Sequence, residues 1–286
     1  MKVLKKPSSL VLFLLVLGII QANSQKKLRA EEIVAEHLKA VGDQETIAKI
    51  NNQVAIGNVS FRILRSGGAG ADGQVVFASE NRKLLVGMNF PVSNYSRELI
   101  VFDGKNSKVA FTYDNIRSPF GDYLYRYSEI LKEGLFGGVL STGWSLKRLA
   151  ETNARVKLEG TKEVQGREAY VLSYLPKGGS DLEVYIFIDK ENFRHLRTEY
   201  RRIISAGQAV NPDASSTLRE RREILVEDFS DYKQVNGLFL PYRYKIYLML
   251  EGQTKGLNEY EWILSFVSFL FNQQLDPSSF DTKKNE

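Results

Sequence analysis

The stretch Ile224 to Leu250, ILVEDFSDYKQVNGLFLPYRYKIYLML, restricts the possible folds more than any other part of the chain. It reads as two long strands folding back about Asn236-Gly237, a pair that readily takes positive φ angles. Leu238 to Leu250 is rich in β-branched and aromatic side chains and would span on the order of 43 Å if unbroken. Pro241 donates no ladder hydrogen bond, so it belongs near the start of its strand or on an edge. A strand this long implies a curved, tilted antiparallel sheet.

Period-two alternation recurs along the chain. In Ala55 to Arg65, Val59, Phe61 and Ile63 alternate with Asn58, Ser60 and Arg62, which predicts a strand with one wet face. Gln74 to Ala78, Lys83 to Asn89, Arg97 to Phe102 and Lys108 to Thr112 continue a meander. Arg155 to Gly160, Glu168 to Leu175 and Leu182 to Ile188 resume it. The last of these is apolar on both faces in its middle, which predicts a central strand. In His195 to Ile204, Arg197, Glu199 and Arg201 oppose Leu196, Thr198 and Tyr200, and the charged side is expected to meet water. Leu257 to Phe271 is expected to pair with the long hairpin. Ser66 to Gly73, SGGAGADG, lacks the Lys-Ser/Thr ending of a phosphate loop and reads as a hairpin loop.

Helical periodicity is confined to two places. Val34, Leu38 and Val41 share a face within Glu31 to Val41, Gly42 follows as a cap, and Asp43 is placed to cap a second short helix. Between Pro119 and Arg155, Leu124, Tyr127, Leu131 and Leu135 repeat at helical spacing. Gly134, Gly137, Gly138 and Gly143 then surround Leu135, Phe136, Val139, Leu140 and Trp144. This second segment reads either as a lid or as a plug on an apolar sheet face. The fold class is therefore mainly β with a few helices (α+β): a curved antiparallel half-barrel sheet with helices covering its concave face.

The N-terminus reads as a secretory signal over residues 1–24. Lys2, Lys5 and Lys6 precede the apolar run Leu10 to Ile20, and Ala22-Asn23-Ser24 supplies small residues for cleavage. Removing it leaves (39 − 3) − 34 = +2 charges on 286 − 24 = 262 residues, too near neutral to indicate nucleic acid. Residues 25–286 are then expected to form one domain without a transmembrane segment, with a mobile loop at 205–217 and a polar tail at 276–286. The absence of cysteine excludes a lipidated N-terminal cysteine and any disulfide.

The pattern Asp231-Tyr232-x-x-Val235-Asn236-Gly237-x-x-Leu240-Pro241, the later VSFLFNQQLDPSSF from Val267 to Phe280, and EIVAEHLKAVG from Glu32 to Gly42 resemble the LolA/LppX-like lipoprotein carrier family. The resemblance implies a periplasmic protein, exported across the inner membrane, with a half-barrel closed by helices. It implies acyl chains of lipids or lipoproteins as cargo, a role in lipoprotein sorting and outer-membrane biogenesis, and no catalysis. The matching residues mark turns and strand ends, so they transfer no cargo-contacting side chain.

Side chains suited to chemistry are sparse. Of the two histidines, His37 reads as a helix-surface residue and His195 lies beside a turn, so no metal or other cofactor is expected. No serine sits in a GxSxG elbow, which leaves a hydrolase without a visible site. Glu220, Glu223, Glu227, Asp228 and Asp231 are interleaved with Arg219, Arg221 and Arg222 and read as solvated strand faces. Apolar surface remains. Phe120, Leu135, Phe136, Trp144, Tyr185, Phe187 and Phe266 are the candidates for lining or covering a cavity, although the sequence leaves open which strand parity points inward. A buried chain of about sixteen carbons offers on the order of 12 kcal/mol before opening costs. A carrier should therefore hold its cargo partially, against a lid that reseals. The alternative is an envelope interaction module with a sealed core and a membrane-protein partner.

Overall fold

The computed structural model describes residues 28–65, 67–205, 220–251 and 256–283. The expected signal at 1–24 lies outside the described residues, as does most of the expected loop at 205–217. Helices α1 (Ala30–Val41) and α2 (Gln44–Ala48) precede strands β1 (Asn52–Ile63), β2 (Gly70–Glu80), β3 (Lys83–Asn89), β4 (Arg97–Phe102) and β5 (Ser107–Val109). A covering segment follows, with α3 (Pro119–Arg126), α4 (Glu129–Lys132), two 3₁₀ turns and α5 (Leu149–Thr152). The chain then returns through β6 (Arg155–Val164), β7 (Arg167–Leu175), β8 (Glu183–Asp189), β9 (His195–Ile204), β10 (Arg221–Val235), β11 (Leu238–Glu251) and β12 (Leu257–Phe271).

All the strands belong to one antiparallel, open, curved sheet of order β5-β4-β3-β2-β1-β12-β11-β10-β9-β8-β7-β6. Two meanders meet where β1 pairs with β12, so the first and last strands lie at the centre. The long hairpin is β10–β11, with Val235 opposite Leu238 and positive φ at both Asn236 and Gly237. Pro241 pairs with Tyr232 of β10, while the β11–β12 ladder begins only at Arg243. Proline thus occupies a stretch of β11 with one free side. Strand β8 is third from the β6 edge, not central as its apolar middle suggests. Val184, Ile186 and Ile188 join the main core, whereas Phe187 and Tyr185 join Val164, Ala169 and Leu196 in a small cluster on the opposite face.

The main core lies between one face of the sheet and α1 with the covering segment. The outer face is less wet than expected. Glu199 and Asp228 are 5% and 4% exposed because Arg197 bridges them, and Lys245 adds to Asp228. A register shift between Phe187 and Ile188 places Leu196 in the outer cluster while Tyr200 faces the core, which separates two residues that simple alternation put together. The glycine-rich stretch is also partly strand, since Gly70 and Gly73 lie in β2. A Cβ on either would fall 2.0 Å from a neighbouring carbonyl oxygen, so these glycines permit close strand approach.

Two ends are tied down. Asp43 caps α2 by accepting from the Thr46 N–H. Gly42 is extended, with φ of 168°, and makes no left-handed cap. It lies against the hairpin turn, where a Cβ would sit 2.7 Å from Leu238 Cδ2. The expected polar tail is docked as well: Pro277–Phe280 forms a 3₁₀ turn, and Phe280 is buried against Val54 and Ala78 on the outer face.

Candidate functional site

The covering segment is not the single helix that its leucine spacing predicts. Ser118 starts α3 by accepting from the Gly121 N–H, with Pro119 in the first turn. The helix stops at Tyr127, whose φ and ψ of −110° and 50° leave the helical region. Beyond α4, Gly134, Gly137 and Gly138 all take positive φ, which an α-helix cannot accommodate. A Cβ at Gly137 would lie 2.2 Å from the Phe77 ring, and one at Gly138 would lie 2.5 Å from His195 Nδ1. The glycines thus let backbone press directly onto the sheet.

Between these turns the apolar side chains point into the sheet. Phe120, Leu135, Phe136, Val139, Leu140 and Trp144 are each at most 2% exposed. Phe136 packs within 6.4 Å of Phe77 and 6.3 Å of Tyr244, and Phe120 within 5.0 Å of Trp262. Of the sequence candidates, Phe120, Leu135, Phe136, Trp144 and Phe266 belong to the main core. Phe266 sits apart from the covering segment, beside Phe269 on β12. Tyr185 and Phe187, also candidates for lining or covering the cavity, lie on the other face of the sheet with Val164, Ala169 and Leu196, away from the covered core. A void of about 60 Å³ remains between Val41, Ile47, Val139, Leu238 and Leu240. That is room for about two water molecules and far too little for an acyl chain.

The polar groups at this interface were missed as functional elements. His37, expected on the helix surface, is fully buried. Trp144 Nε1–H donates to its Nε2 at 3.2 Å, so its Nδ1 carries the proton donated to the Phe193 carbonyl at 2.9 Å. His195 stacks on Trp144 at 5.0 Å and lies 4.3 Å from the Phe229 ring. Burial lowers the pKa of His37 to about 4 and pushes His195 well below the usual imidazole range, so both are neutral packing residues near pH 7. The available signal was spacing: Val34, His37 and Val41 are separated by three and four residues, one helical stripe.

Glu227 contradicts the expectation of a solvated carboxylate most strongly. It is fully buried and accepts from the Gly137 N–H at 2.7 Å, from Tyr200 Oη at 2.5 Å and from Tyr244 Oη. Burial raises its pKa to about 7 against the opposing effect of these donors. Its place between Leu225 and Phe229 in the period-two pattern put it on the apolar face, a cue outweighed by the neighbouring charges. Glu223 is also buried, accepting from Arg126 at 2.7 Å and Tyr127 Oη at 2.8 Å. Both carboxylates therefore pin the covering segment to β10. Asp231 and Glu220 are exposed as expected. A further buried acid, Glu98, accepts from Tyr95 Oη, and desolvation raises its pKa to about 7.

Among the described residues, no group of three or more His, Cys, Asp and Glu side chains is placed to hold a metal ion, and no helix is long and apolar enough to cross a membrane. No family model and no curated protein matches the sequence. Among solved structures, the chain is similar to a LolA superfamily protein from Nitrosomonas europaea, with 15% identity, a TM-score of 0.48, and coverage of 90% of this chain and 99% of that one. It is also similar to a DUF1329 family protein from Desulfovibrio piger, at 11% identity and TM-score 0.46, covering 88% and 96%. A putative outer membrane lipoprotein-sorting protein domain from Vibrio parahaemolyticus matches at 11% identity and TM-score 0.40, covering 88% and 96%. The likeness to LolA-like proteins is thus distant.

Proposed function

We propose that the protein is an exported, non-catalytic carrier or chaperone for acyl chains of lipids or lipoproteins, seen here closed, with part of the covering segment occupying the cargo site. The observation that carries this reading is the cover itself. The apolar concave face is filled by a stretch with little regular structure that carries Gly134, Gly137 and Gly138 at positive φ, where long helices would make a permanent seal. Magnitudes select which part moves. Removing every buried side chain of the segment from the sheet would cost far more than one acyl chain returns. Displacing Leu135, Phe136, Val139, Leu140 and Trp144 alone costs roughly 8–15 kcal/mol, comparable with the ~12 kcal/mol from a sixteen-carbon chain. Cargo and cover would then exchange with little net change, which favours release as well as uptake.

The test is mass spectrometry of organic extracts from protein purified without detergent. Acyl lipid should be recovered from the wild type. Phe77→Glu, and the milder Leu240→Asn should folding suffer, change sheet residues that the cargo would touch once the cover leaves, and should reduce it at least ~10-fold, the factor for about 1.4 kcal/mol. Lipid-free protein that also ignores added palmitate would reject the carrier reading. The specific bonds holding the cover, Trp144 to His37 and Gly137 to Glu227, favour a second reading: a sealed module of the envelope that presents its outer surface to a membrane-protein partner. Partner recovery after cross-linking from lipid-free protein would support it.

A further inference from the structure

We propose that the hairpin tip at residues 111–117, together with Tyr125, is a docking surface for a bilayer that carries anionic phospholipid. At the β5 edge, Ile116 N–H donates to the Tyr113 carbonyl at 2.7 Å, and Asp114 and Asn115 between them take φ of 41° and 60°. This tight turn fixes an apolar tip in solvent. Ile116 is 65% exposed, Tyr113 58%, Tyr125 57% and Phe111 41%.

Cations accompany these side chains. The Arg117 guanidinium lies 3.9 Å from the Tyr125 ring centroid and 4.6 Å from that of Phe111, while its Nε–H donates to the Val109 carbonyl. Arg97 Nε–H donates to the Phe111 carbonyl, and Lys108 Nζ is shielded from solvent without a hydrogen-bond partner among the described residues. All three line a concavity of about 880 Å³ in which Asp114 is the one carboxylate among the described residues. Among the described residues no ion pair neutralises these cations, and the local charge is positive.

This combination selects the occupant. Aromatic and aliphatic side chains on a rigid protrusion, with cations at their base, suit the boundary between headgroups and acyl chains. Anionic headgroups would pair with Arg97 and Arg117, with the Lys108 charge behind them, while the rings enter the interface. An added peptide strand is a poorer fit, since β5 offers only the edge Ser107–Val109, shorter than usual strand pairing. A free phosphate would leave the rings in water. The proposal stands apart from the carrier reading, because docking at this tip requires no cargo under the cover.

Co-sedimentation of the full chain, recovered after export, with vesicles tests it. Partitioning onto phosphatidylcholine vesicles containing an equal share of phosphatidylglycerol should exceed that onto phosphatidylcholine alone at least ~10-fold, and should fall as salt screens the headgroups. Arg97→Glu should weaken binding ~5-fold or more. The double variant Tyr113→Ser/Ile116→Ser should weaken it ~10-fold, with unchanged circular dichroism. Val267→Ser/Leu270→Ser, at another exposed apolar patch, should bind as the wild type does. Equal binding to both lipids, or normal binding by the tip variants, overturns the proposal. So does loss of binding on adding inorganic phosphate at constant ionic strength, or competition by an acidic peptide, which would assign the site to a free anion or a protein.

Discussion

Glu227 shows how one side chain links folding to pH. Its folded-state pKa is raised to about 7, so the folded form holds a proton that the unfolded chain releases nearer the ordinary glutamate value. The stability it contributes is complete below that ordinary value and is lost as pH rises to about 7. His37 works in the opposite sense. Its pKa is lowered to about 4, so its contribution is present above the ordinary histidine value and is lost as pH falls. The two trends overlap between about pH 4.5 and 6.5 and partly cancel, so a wild-type pH profile alone hides them. Glu227→Gln separates them. The melting temperature of the variant relative to wild type should rise from pH 5 to pH 8, by an amount reflecting ~1–3 kcal/mol; a difference independent of pH would show that Glu227 does not titrate in this range. The sequence contains this site only as alternation through Leu225, Glu227 and Phe229. Its partners Gly137, Tyr200 and Tyr244 come from separate segments, and no local pattern brings them together.

At the level of elements, legibility follows the range of the interactions that create each one. Strands β1, β3, β4, β7 and β10 to β12 were readable because alternation and turn residues are local. The covering segment departs from the leucine spacing, which continues past Tyr127 and Gly134, because the backbone leaves the helical region at both and then presses Gly137 and Gly138 onto Phe77 and His195. Alternation holds along β8 but breaks in β9, because the shift at Phe187/Ile188 is a property of the pair. The central β1–β12 seam has a similar device. Its register shifts at Ile56/Gly57, and a Cβ on Gly57 would lie 2.2 Å from the Ser265 carbonyl oxygen and 2.7 Å from Phe266 Cα. These are backbone atoms of β12, which cannot give way cheaply. Gly57→Ala should therefore destabilise the fold by ~2–3 kcal/mol, measured as a lower urea midpoint with an unchanged slope. A midpoint equal to wild type would mean that the bulge tolerates a side chain.

For the whole molecule, the central question is whether cover and sheet form one cooperative unit. Around the Gly134 to Gly143 stretch, Leu140 N–H donates to Gly137, Ser141 N–H to Gly138 and Ser145 N–H to Gly134. These bonds lie within the segment or between neighbouring turns and do not extend the sheet ladder. Its attachment rests on apolar contact, the Gly137–Glu227 and Trp144–His37 bonds, and three bonds to β1, β2 and the turn after β2, in which Gln53 Nε2–H donates to the Leu140 carbonyl, Thr142 N–H to Ser79 Oγ and Thr142 Oγ1–H to the Asn81 carbonyl, whereas β1, β11 and β12 each have a strand on both sides. A carrier requires the cover to open well below the free energy of global unfolding. Native-state hydrogen exchange should then find the amides of Gly137, Leu140, Ser141 and Trp144 exchanging through an opening with little denaturant dependence. Amides in β1, β11 and β12 should exchange only with global unfolding. Added palmitate should speed exchange in the cover by holding it open and slow exchange in the sheet through binding energy. If cover and sheet instead share one exchange free energy, and palmitate changes neither, the helices and the half-barrel form a permanently sealed body and only its outer surface is available for function.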